Sequence, residues 1–167
     1  GEDPYSNKLR LIQLATKENI LVLDMFKLKK EPMLDDILSG TALKIFHNGK
    51  FDIKFILHKG YNIKPPYFDT MIANILLTLG INREKGFHSL SSLIWKNFGI
   101  DLPKELQRSD WSKDNLSKEQ LEYSAKDVKY LILLKNKLLR ELERNKLQEA
   151  AHLEFNIIPS IALIELY

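Results

Sequence analysis

Apolar residues change their spacing along this chain, from short continuous runs near the start to helical spacing further on. The runs Leu9–Leu14 and Ile20–Leu23 flank a short polar stretch, which predicts a β-hairpin. A third run, Leu43–Phe46, predicts a buried strand, and helical patterns surround it over Glu31–Leu38 and Asn48–His58. This order of elements predicts an α/β fold, a mixed β-sheet flanked by helices.

The rest of the chain is predicted to be mainly helical. Further helices are expected over Asp69–Leu79, from Leu90 onward, over Ser117–Leu139 and over Glu149–Tyr167. Ser117 and Gln120 have the spacing of a capping box, which predicts the start of the third of these helices. Gly40 is expected to end the helix over Glu31–Leu38 as a left-handed C′ glycine.

The composition excludes several kinds of site. The 167 residues, 44% hydrophobic and 28% charged, fit one globular domain. The absence of cysteine excludes disulfides, thiolate zinc sites, iron–sulfur clusters and cysteine nucleophiles. No apolar run approaches the ~18 residues of a membrane span, so no membrane partner is expected. The net charge of +3 permits a nucleic-acid partner without indicating one.

Two aspartates occupy helical faces that are otherwise apolar. Asp52 shares its face with Phe55 and Ile56, and Asp127 lies one turn after Tyr123 on the long helix. An ionised carboxylate on a core-facing stripe costs several kcal/mol unless a charge or a metal compensates it. The two aspartates together therefore predict a cation between them.

The alternative for each aspartate is an ion pair with a nearby lysine. The candidates are Lys50, Lys54, Lys126 and Lys129. They stand one or two positions from the aspartates, so they point to other parts of the helix surface. For Tyr123, the alternative is a core tyrosine whose hydroxyl is satisfied by the protein.

Five segments carry a shared pattern: HNGKFD at 47–52, YFDTMIA at 67–73, HSLSSL at 88–93, QRSDW at 107–111 and YSAKD at 123–127. In this order and spacing they resemble the tyrosine subclass of the DEDD 3′→5′ exonucleases. That group includes the exonuclease domains of family A DNA polymerases and is close to ribonuclease D.

The resemblance implies a ribonuclease H-like fold and two divalent metal ions, Mg²⁺ or Mn²⁺, bridged by four carboxylates. Asp52 and Asp127 match two of these and are the implied metal ligands and catalytic residues. Tyr123 matches the tyrosine that orients the attacking water. Asn48 is expected to donate to the substrate backbone, with a helix N-cap as the alternative. Phe51 is expected to stack on terminal bases, with a core position as the alternative.

The remaining two carboxylates belong to an Asp-x-Glu motif on the central strand, which is absent from this sequence. Gly1–Pro4 matches the segment that follows that motif in relatives. We therefore expect the sheet to lack its first, central strand, and we expect upstream residues to supply the motif that activity requires. Asp24 is not a substitute, because Phe26 stands where the glutamate should be.

The C-terminal segment His152–Tyr167 resembles the helix that leads from exonuclease to polymerase domain in family A DNA polymerases. We therefore expect an N-terminally truncated exonuclease domain over residues 1–148 and a connecting helix over 149–167, with a polymerase domain following. The expected function is proofreading, in which two-metal hydrolysis at a single-stranded or frayed DNA 3′ end releases 5′-mononucleotides. The expected location is intracellular, in the cytoplasm (nucleoid) or a DNA-containing organelle.

Two alternatives to proofreading remain open. One is RNA 3′-end trimming of the ribonuclease D type. The other is a non-catalytic nucleic-acid-binding module that keeps the exonuclease fold without its chemistry, which the missing first motif favours.

Overall fold

The computed structural model of the chain describes residues 3–28, 30–81, 84–102, 106 and 109–167. The strands in this part of the chain are β1 (Leu11–Ala15), β2 (Ile20–Asp24), β3 (Lys44–Phe46) and β4 (Tyr67–Asp69). The helices are α1 (Pro32–Ser39), α2 (Gly49–His58), α3 (Thr70–Leu77), α4 (Leu90–Phe98), α5 (Lys118–Lys129), α6 (Leu131–Arg144) and α7 (Gln148–Ile164). This order confirms the α/β class. None of these helices is long and apolar enough to cross a bilayer.

β1 and β2 form the antiparallel hairpin that their apolar runs predict. The register ends with Ala15 opposite Ile20. Thr16 and Asn19 then close the turn: the Thr16 N–H donates to the Asn19 carbonyl at 2.8 Å, and the Asn19 N–H donates to the Thr16 hydroxyl oxygen at 3.0 Å. Such side-chain bonds to nearby backbone are how threonine favours a turn over a longer strand.

β3 and β4 pair in parallel, and α2 forms the crossover between them. The sequence predicts a helix over Asp69–Leu79 and does not predict β4. In the structure Asp69 ends the strand and caps α3, which begins at Thr70. All three residues of β4 are buried, so a short strand with no exposed face leaves no alternating pattern to detect.

The two strand pairs form separate two-stranded sheets among the described residues, rather than one mixed sheet. One pair is antiparallel and the other is parallel.

α6 carries the centre of the larger core. Leu134, Leu138 and Leu142 recur every four residues on one helical face and are all buried. They pack in one cluster with residues of α3, α4 and α7. In the same cluster the Phe155 ring of α7 lies 4.7 Å from the Phe68 ring of β4, measured between centroids. α7 thus packs against the sheet, while the proposed division of the chain at residues 148 and 149 stays a prediction.

α1 and α2 enclose a smaller core beneath the hairpin, whose buried members are Met25, Leu34, Leu38, Ile56 and Tyr61. The end of α1 differs from the prediction. Gly40 has φ −72° and ψ 177°, which is extended backbone rather than the left-handed conformation of a C′ glycine. A Cβ at Gly40 would lie 2.8 Å from the Asp36 carbonyl oxygen, so close packing accounts for the glycine instead.

The helix predicted over Ser117–Leu139 is two helices. Its predicted capping box is present: the Gln120 N–H donates to Ser117 Oγ at 3.2 Å, and the Ser117 N–H donates to Gln120 Oε1 at 3.0 Å. Tyr130, with φ −101° and ψ −3°, separates α5 from α6. Because α5 packs against the hairpin and α6 against α3 and α4, a break lets each half face its own partner.

Replacing Leu138 with alanine should lower the free energy of unfolding by about 2–5 kcal/mol, because it opens a cavity in the larger core. Urea denaturation followed by circular dichroism measures the change. Leu133→Ala is the matched control on the same helix, since Leu133 is 54% exposed and its loss should cost within about 0.5 kcal/mol. Equal effects of the two substitutions would contradict this packing of α6.

Candidate active site

The chain turns sharply at Asn48, between β3 and α2. Asn48 has φ 63° and ψ 47°, in the left-handed region that asparagine tolerates better than most residues, and α2 begins at Gly49. The Asn48 side chain makes no capping hydrogen bond, so the N-cap alternative for this residue is not supported. Its predicted contact with substrate stays a prediction.

Asp69 anchors this turn from the end of β4. Its side chain is fully buried and accepts hydrogen bonds from four backbone N–H groups. Oδ1 accepts from Asn48, Met71 and Ile72 at 3.1, 2.8 and 3.1 Å, and Oδ2 accepts from Gly49 at 2.6 Å. Because these donors surround both oxygens, the carboxylate is compensated by backbone dipoles at the starts of α2 and α3.

Asp52 lies in the first turn of α2, where the helix dipole favours a negative charge. Its side chain is exposed to a cavity of about 490 Å³, which we call the α2 cavity. The cavity is lined by His47, Asn48, Phe51, Asp52, Met71, Glu84, Gly86, His88, Ser89 and Leu90. Phe51 is half-buried there, and its ring lies 5.2 and 5.0 Å from the ammonium groups of Lys50 and Lys54.

The pKa of Asp52 is raised from 3.8 to about 7, first by burial of the carboxyl among protein atoms and second by the negative charge of Asp69. The side chain opens into the cavity, so solvent screens part of this effect. An ionised Asp52 therefore costs free energy in the folded protein, and a cation in the cavity would recover it.

The lysines beside Asp52 have another partner. Lys50 and Lys54 both form ion pairs with Glu165 near the C-terminal end, at 2.7 and 3.1 Å. Among the described residues, neither Asp52 nor Asp127 has an ion pair with a lysine. The lysine alternative is thus not supported for this part of the chain.

Asp127 and Tyr123 lie on α5 beside a second cavity, of about 290 Å³, between that helix and β1. We call it the α5 cavity; its lining is Arg10, Leu11, Gln13, Trp111, Tyr123, Ser124 and Asp127. Trp111 packs near Tyr123, with 6.2 Å between ring centroids. Burial raises the pKa of Asp127 above 3.8, although its side chain reaches the cavity and is exposed.

Arg10 gives the α5 cavity a positive charge. Its guanidinium pairs with Asp24 at 2.9 Å and lies 4.3 Å from the centre of the Phe26 ring. Its Nε and Nη1 are buried and have no hydrogen-bond partner within the described ranges. A buried donor without a partner costs free energy, and these two nitrogens of Arg10 are donors that could still bind an acceptor. In the sequence, the only indication of this residue is that a positively charged side chain interrupts the apolar run Leu9–Leu14.

The structure places the predicted site residues in two groups. Asn48, Phe51 and Asp52 line the α2 cavity, whereas Tyr123 and Asp127 line the α5 cavity. Both aspartates face open space, which corrects the expectation that they lie on core-facing stripes. Only their apolar neighbours reach the core. A helix that borders a cavity turns one edge of its face toward the cavity and the other edge toward the core.

The donors present suit a divalent cation. Carboxylate oxygens are the ligands that Mg²⁺ and Mn²⁺ prefer, and both aspartates are reachable and lack a cationic partner in the part of the chain described. That part contains no group of three or more His, Asp or Glu side chains able to hold a metal. The assignment of Asp52 and Asp127 as ligands, and the number of ions, therefore stay predictions.

Comparison with known proteins identifies the family to which the chain belongs. A family model described as 3′-5′ exonuclease matches residues 2–143. Ribonuclease D of Zymomonas mobilis is 34% identical over 144 residues, which cover 84% of this chain and 36% of the relative. The chain thus spans about a third of the length of the curated relatives it matches.

Solved structures show the same fold. Brucella melitensis NrnC with bound Mg²⁺ is 30% identical, with a TM-score of 0.89 over 99% of this chain and 80% of that chain. The same protein bound to pGG has a TM-score of 0.88 at 31% identity, with the same coverage. Escherichia coli RNase D has a TM-score of 0.81 at 27% identity, over 91% of this chain and 40% of that chain. These likenesses confirm the predicted ribonuclease H-like fold, and the chain belongs to the 3′-5′ exonuclease family.

Proposed function

We propose that this chain is the catalytic domain of an exonuclease that shortens RNA from its 3′ end and releases 5′-mononucleotides. The observation that carries the proposal is the pair Asp52 and Asp127, two reachable carboxylates on an exonuclease fold, both with raised pKa values. Perturbed carboxylates in clefts are candidates for chemistry, since a purely structural aspartate is normally satisfied by its neighbours.

Asp52 and Asp127 would hold two divalent cations, Mg²⁺ or Mn²⁺. Such ions, when bound, supply an activated nucleophile and stabilise the charge that develops on the leaving oxygen. Tyr123 orients the attacking water from one turn before Asp127. A tyrosine hydroxyl, with an ordinary pKa of about 10, is a poor base, so orientation is its role.

Asn48 and Phe51 contact the end of the substrate in the α2 cavity. The Phe51 ring offers a surface on which a terminal base can stack, and such stacking tolerates any base sequence. Asn48 carries an amide side chain that is not used for capping and so is free to bind a sugar or phosphate oxygen.

The relatives favour RNA over DNA as the substrate. The resemblance to family A polymerases leads to an expectation of DNA proofreading, with a polymerase domain following in the same chain. The curated relative named above is a ribonuclease D, and E. coli RNase D is described as an exoribonuclease involved in structured RNA processing. These findings support the RNA-trimming alternative, and they give no support to an attached polymerase domain.

The full-length protein should degrade single-stranded RNA at least about 10-fold faster than DNA of the same sequence, which a specificity difference of about 1.4 kcal/mol would produce. Substrates labelled at the 5′ end, analysed by gel electrophoresis with Mg²⁺ or Mn²⁺ present, should show one-nucleotide steps. The dinucleotide pGG is a useful short substrate, because a neighbour of this fold was solved with it. Faster cleavage of DNA would favour proofreading, and failure to cleave either polymer would favour the binding module.

Replacing either Asp52 or Asp127 with asparagine should lower the rate by more than about 100-fold, because loss of a metal's outer partners alone costs 10- to 100-fold. The measurement is single-turnover hydrolysis of RNA. Asp36→Asn, an exposed carboxylate on α1, is the control and should keep full activity. Full activity of Asp127→Asn in Mg²⁺ would show that the metal assignment is wrong.

Removing the Asp52 charge should also leave the protein as stable or more stable above neutral pH without metal. When folding raises the pKa of a carboxyl from 3.8 to about 7, the free energy of unfolding of the protein falls as the pH rises between those values. Thermal unfolding of Asp52→Asn in EDTA at pH 8 measures this, and it should match or exceed the unsubstituted protein. A lower transition temperature would contradict the raised pKa.

Tyr123→Phe should slow turnover by about 10- to 100-fold while leaving metal binding unchanged, because only the hydroxyl that orients water is lost. Rapid-quench kinetics and calorimetric titration with Mn²⁺ separate the two effects. Tyr130→Phe, at the end of the same helix, is the matched control. An unchanged rate for Tyr123→Phe would remove its proposed role.

A further inference from the structure

Asp69 makes more hydrogen bonds than the cap of one helix requires. Two of its four backbone donors, Met71 and Ile72, belong to the first turn of α3, which is the ordinary work of an N-cap aspartate. The other two, Asn48 and Gly49, lie about twenty residues earlier in the chain, at the start of α2. One carboxylate therefore fixes the relative positions of two helix N-termini.

Thr70 extends the same attachment. Its hydroxyl donates to the Phe46 carbonyl at 2.9 Å, and its oxygen lies 3.0 Å from His47 Nδ1. Asp69 and Thr70 together thus bond to every residue of the segment 46–49. This segment connects β3 to α2, and these bonds join it to the end of β4 and the start of α3.

Gly49 is held from its other side as well. A Cβ at this position would lie 2.7 Å from Phe46 Cβ and Cγ, so the backbone passes as close to Phe46 as a glycine allows. The 2.6 Å bond to Asp69 Oδ2 holds it in that position. Asp52 follows three residues later in the same helical turn, so its orientation depends on where α2 begins.

We propose that Asp69 is a positioning residue, which sets the direction of the Asp52 carboxylate by fixing the first turn of α2. The inference rests on the proposed function in one respect, that Asp52 binds a divalent cation. Asp69 itself is enclosed by N–H groups on both oxygens and has no role as a ligand. It differs in this from Asp52, whose side chain is exposed to the α2 cavity.

Asp69→Asn is the informative substitution, because an asparagine keeps one side-chain oxygen and exchanges the other for an NH₂ group. The oxygen can still accept from Met71, Ile72 and Asn48, so the cap on α3 survives. The NH₂ group then faces the Gly49 N–H, donor against donor, and the bond to α2 is lost. The variant therefore separates capping of α3 from positioning of α2.

The test uses the full-length protein with three readouts. Amide exchange by NMR without metal should be faster at Gly49 in Asp69→Asn, while Met71 and Ile72 keep their protection. Calorimetric titration with Mn²⁺ in the absence of RNA should show about 10- to 100-fold weaker binding, the usual loss when a partner that orients a ligand is removed. Turnover at saturating RNA should fall by a similar factor with little change in KM.

Two controls decide the outcome. Asp35→Asn removes a carboxylate that also accepts a backbone N–H, from Asn62 at 2.8 Å, but lies on α1; it should leave Mn²⁺ affinity unchanged. Asp52→Asn reports on the metal site itself. If Asp52→Asn binds Mn²⁺ normally, the proposed function is wrong; if it loses Mn²⁺ while folded Asp69→Asn keeps normal affinity, only the positioning role is wrong.

Gly49→Ala keeps the test decisive if Asp69→Asn does not fold. The added methyl group displaces the same turn through Phe46 while leaving the Asp69 side chain and the α3 cap in place. Weakened Mn²⁺ binding by folded Gly49→Ala supports the positioning of Asp52 through this turn, and unchanged affinity overturns it.

Discussion

A single buried carboxylate, that of Asp69, determines where α2 begins, and the α2 cavity is built on that helix. Burying an ionised group costs several kcal/mol unless it is compensated, so Asp69 is stable only while backbone N–H groups surround it. Two of these N–H groups belong to Asn48, which is in the left-handed conformation, and to Gly49, which packs against Phe46. In the proposed account, the start of α2 and the placement of Asp52 both depend on this one electrostatic constraint.

The molecule treats its carboxylates in two contrasting ways. Asp69 is sealed and fully hydrogen-bonded, whereas Asp52 and Asp127 are exposed to cavities and have raised pKa values. Lys50 and Lys54 form ion pairs with Glu165, and among the residues described Asp52 has no ion pair with a lysine. A fold that keeps two carboxylates in this state loses stability at neutral pH, and such losses are typical of sites that bind a ligand.

Much of the fold follows from local patterns in the sequence. The hairpin and the capping box at Ser117 are confirmed because each depends on residues close together in the chain. β4 is missed because its three residues are buried on both faces, and the break at Tyr130 is missed because it depends on which elements α5 and α6 pack against. The exposure of Asp52 and Asp127 could not be predicted from the helical spacing of apolar residues, because that spacing is the same for a helix face in a core and for one that borders a cavity. The contacts of Asp69 with residues 48 and 49 are long-range, and no local pattern in the sequence indicates them.

The proposed function requires that Asp52 and Asp127, although they line two cavities, serve one metal-dependent active site. Anomalous diffraction from crystals of the full-length protein grown with Mn²⁺ tests this directly. We expect manganese within about 2.2 Å of a carboxylate oxygen of each aspartate, in a cluster that spans the space between α2 and α5. Manganese bound elsewhere, with Asp52 and Asp127 both free of it, would contradict a shared site.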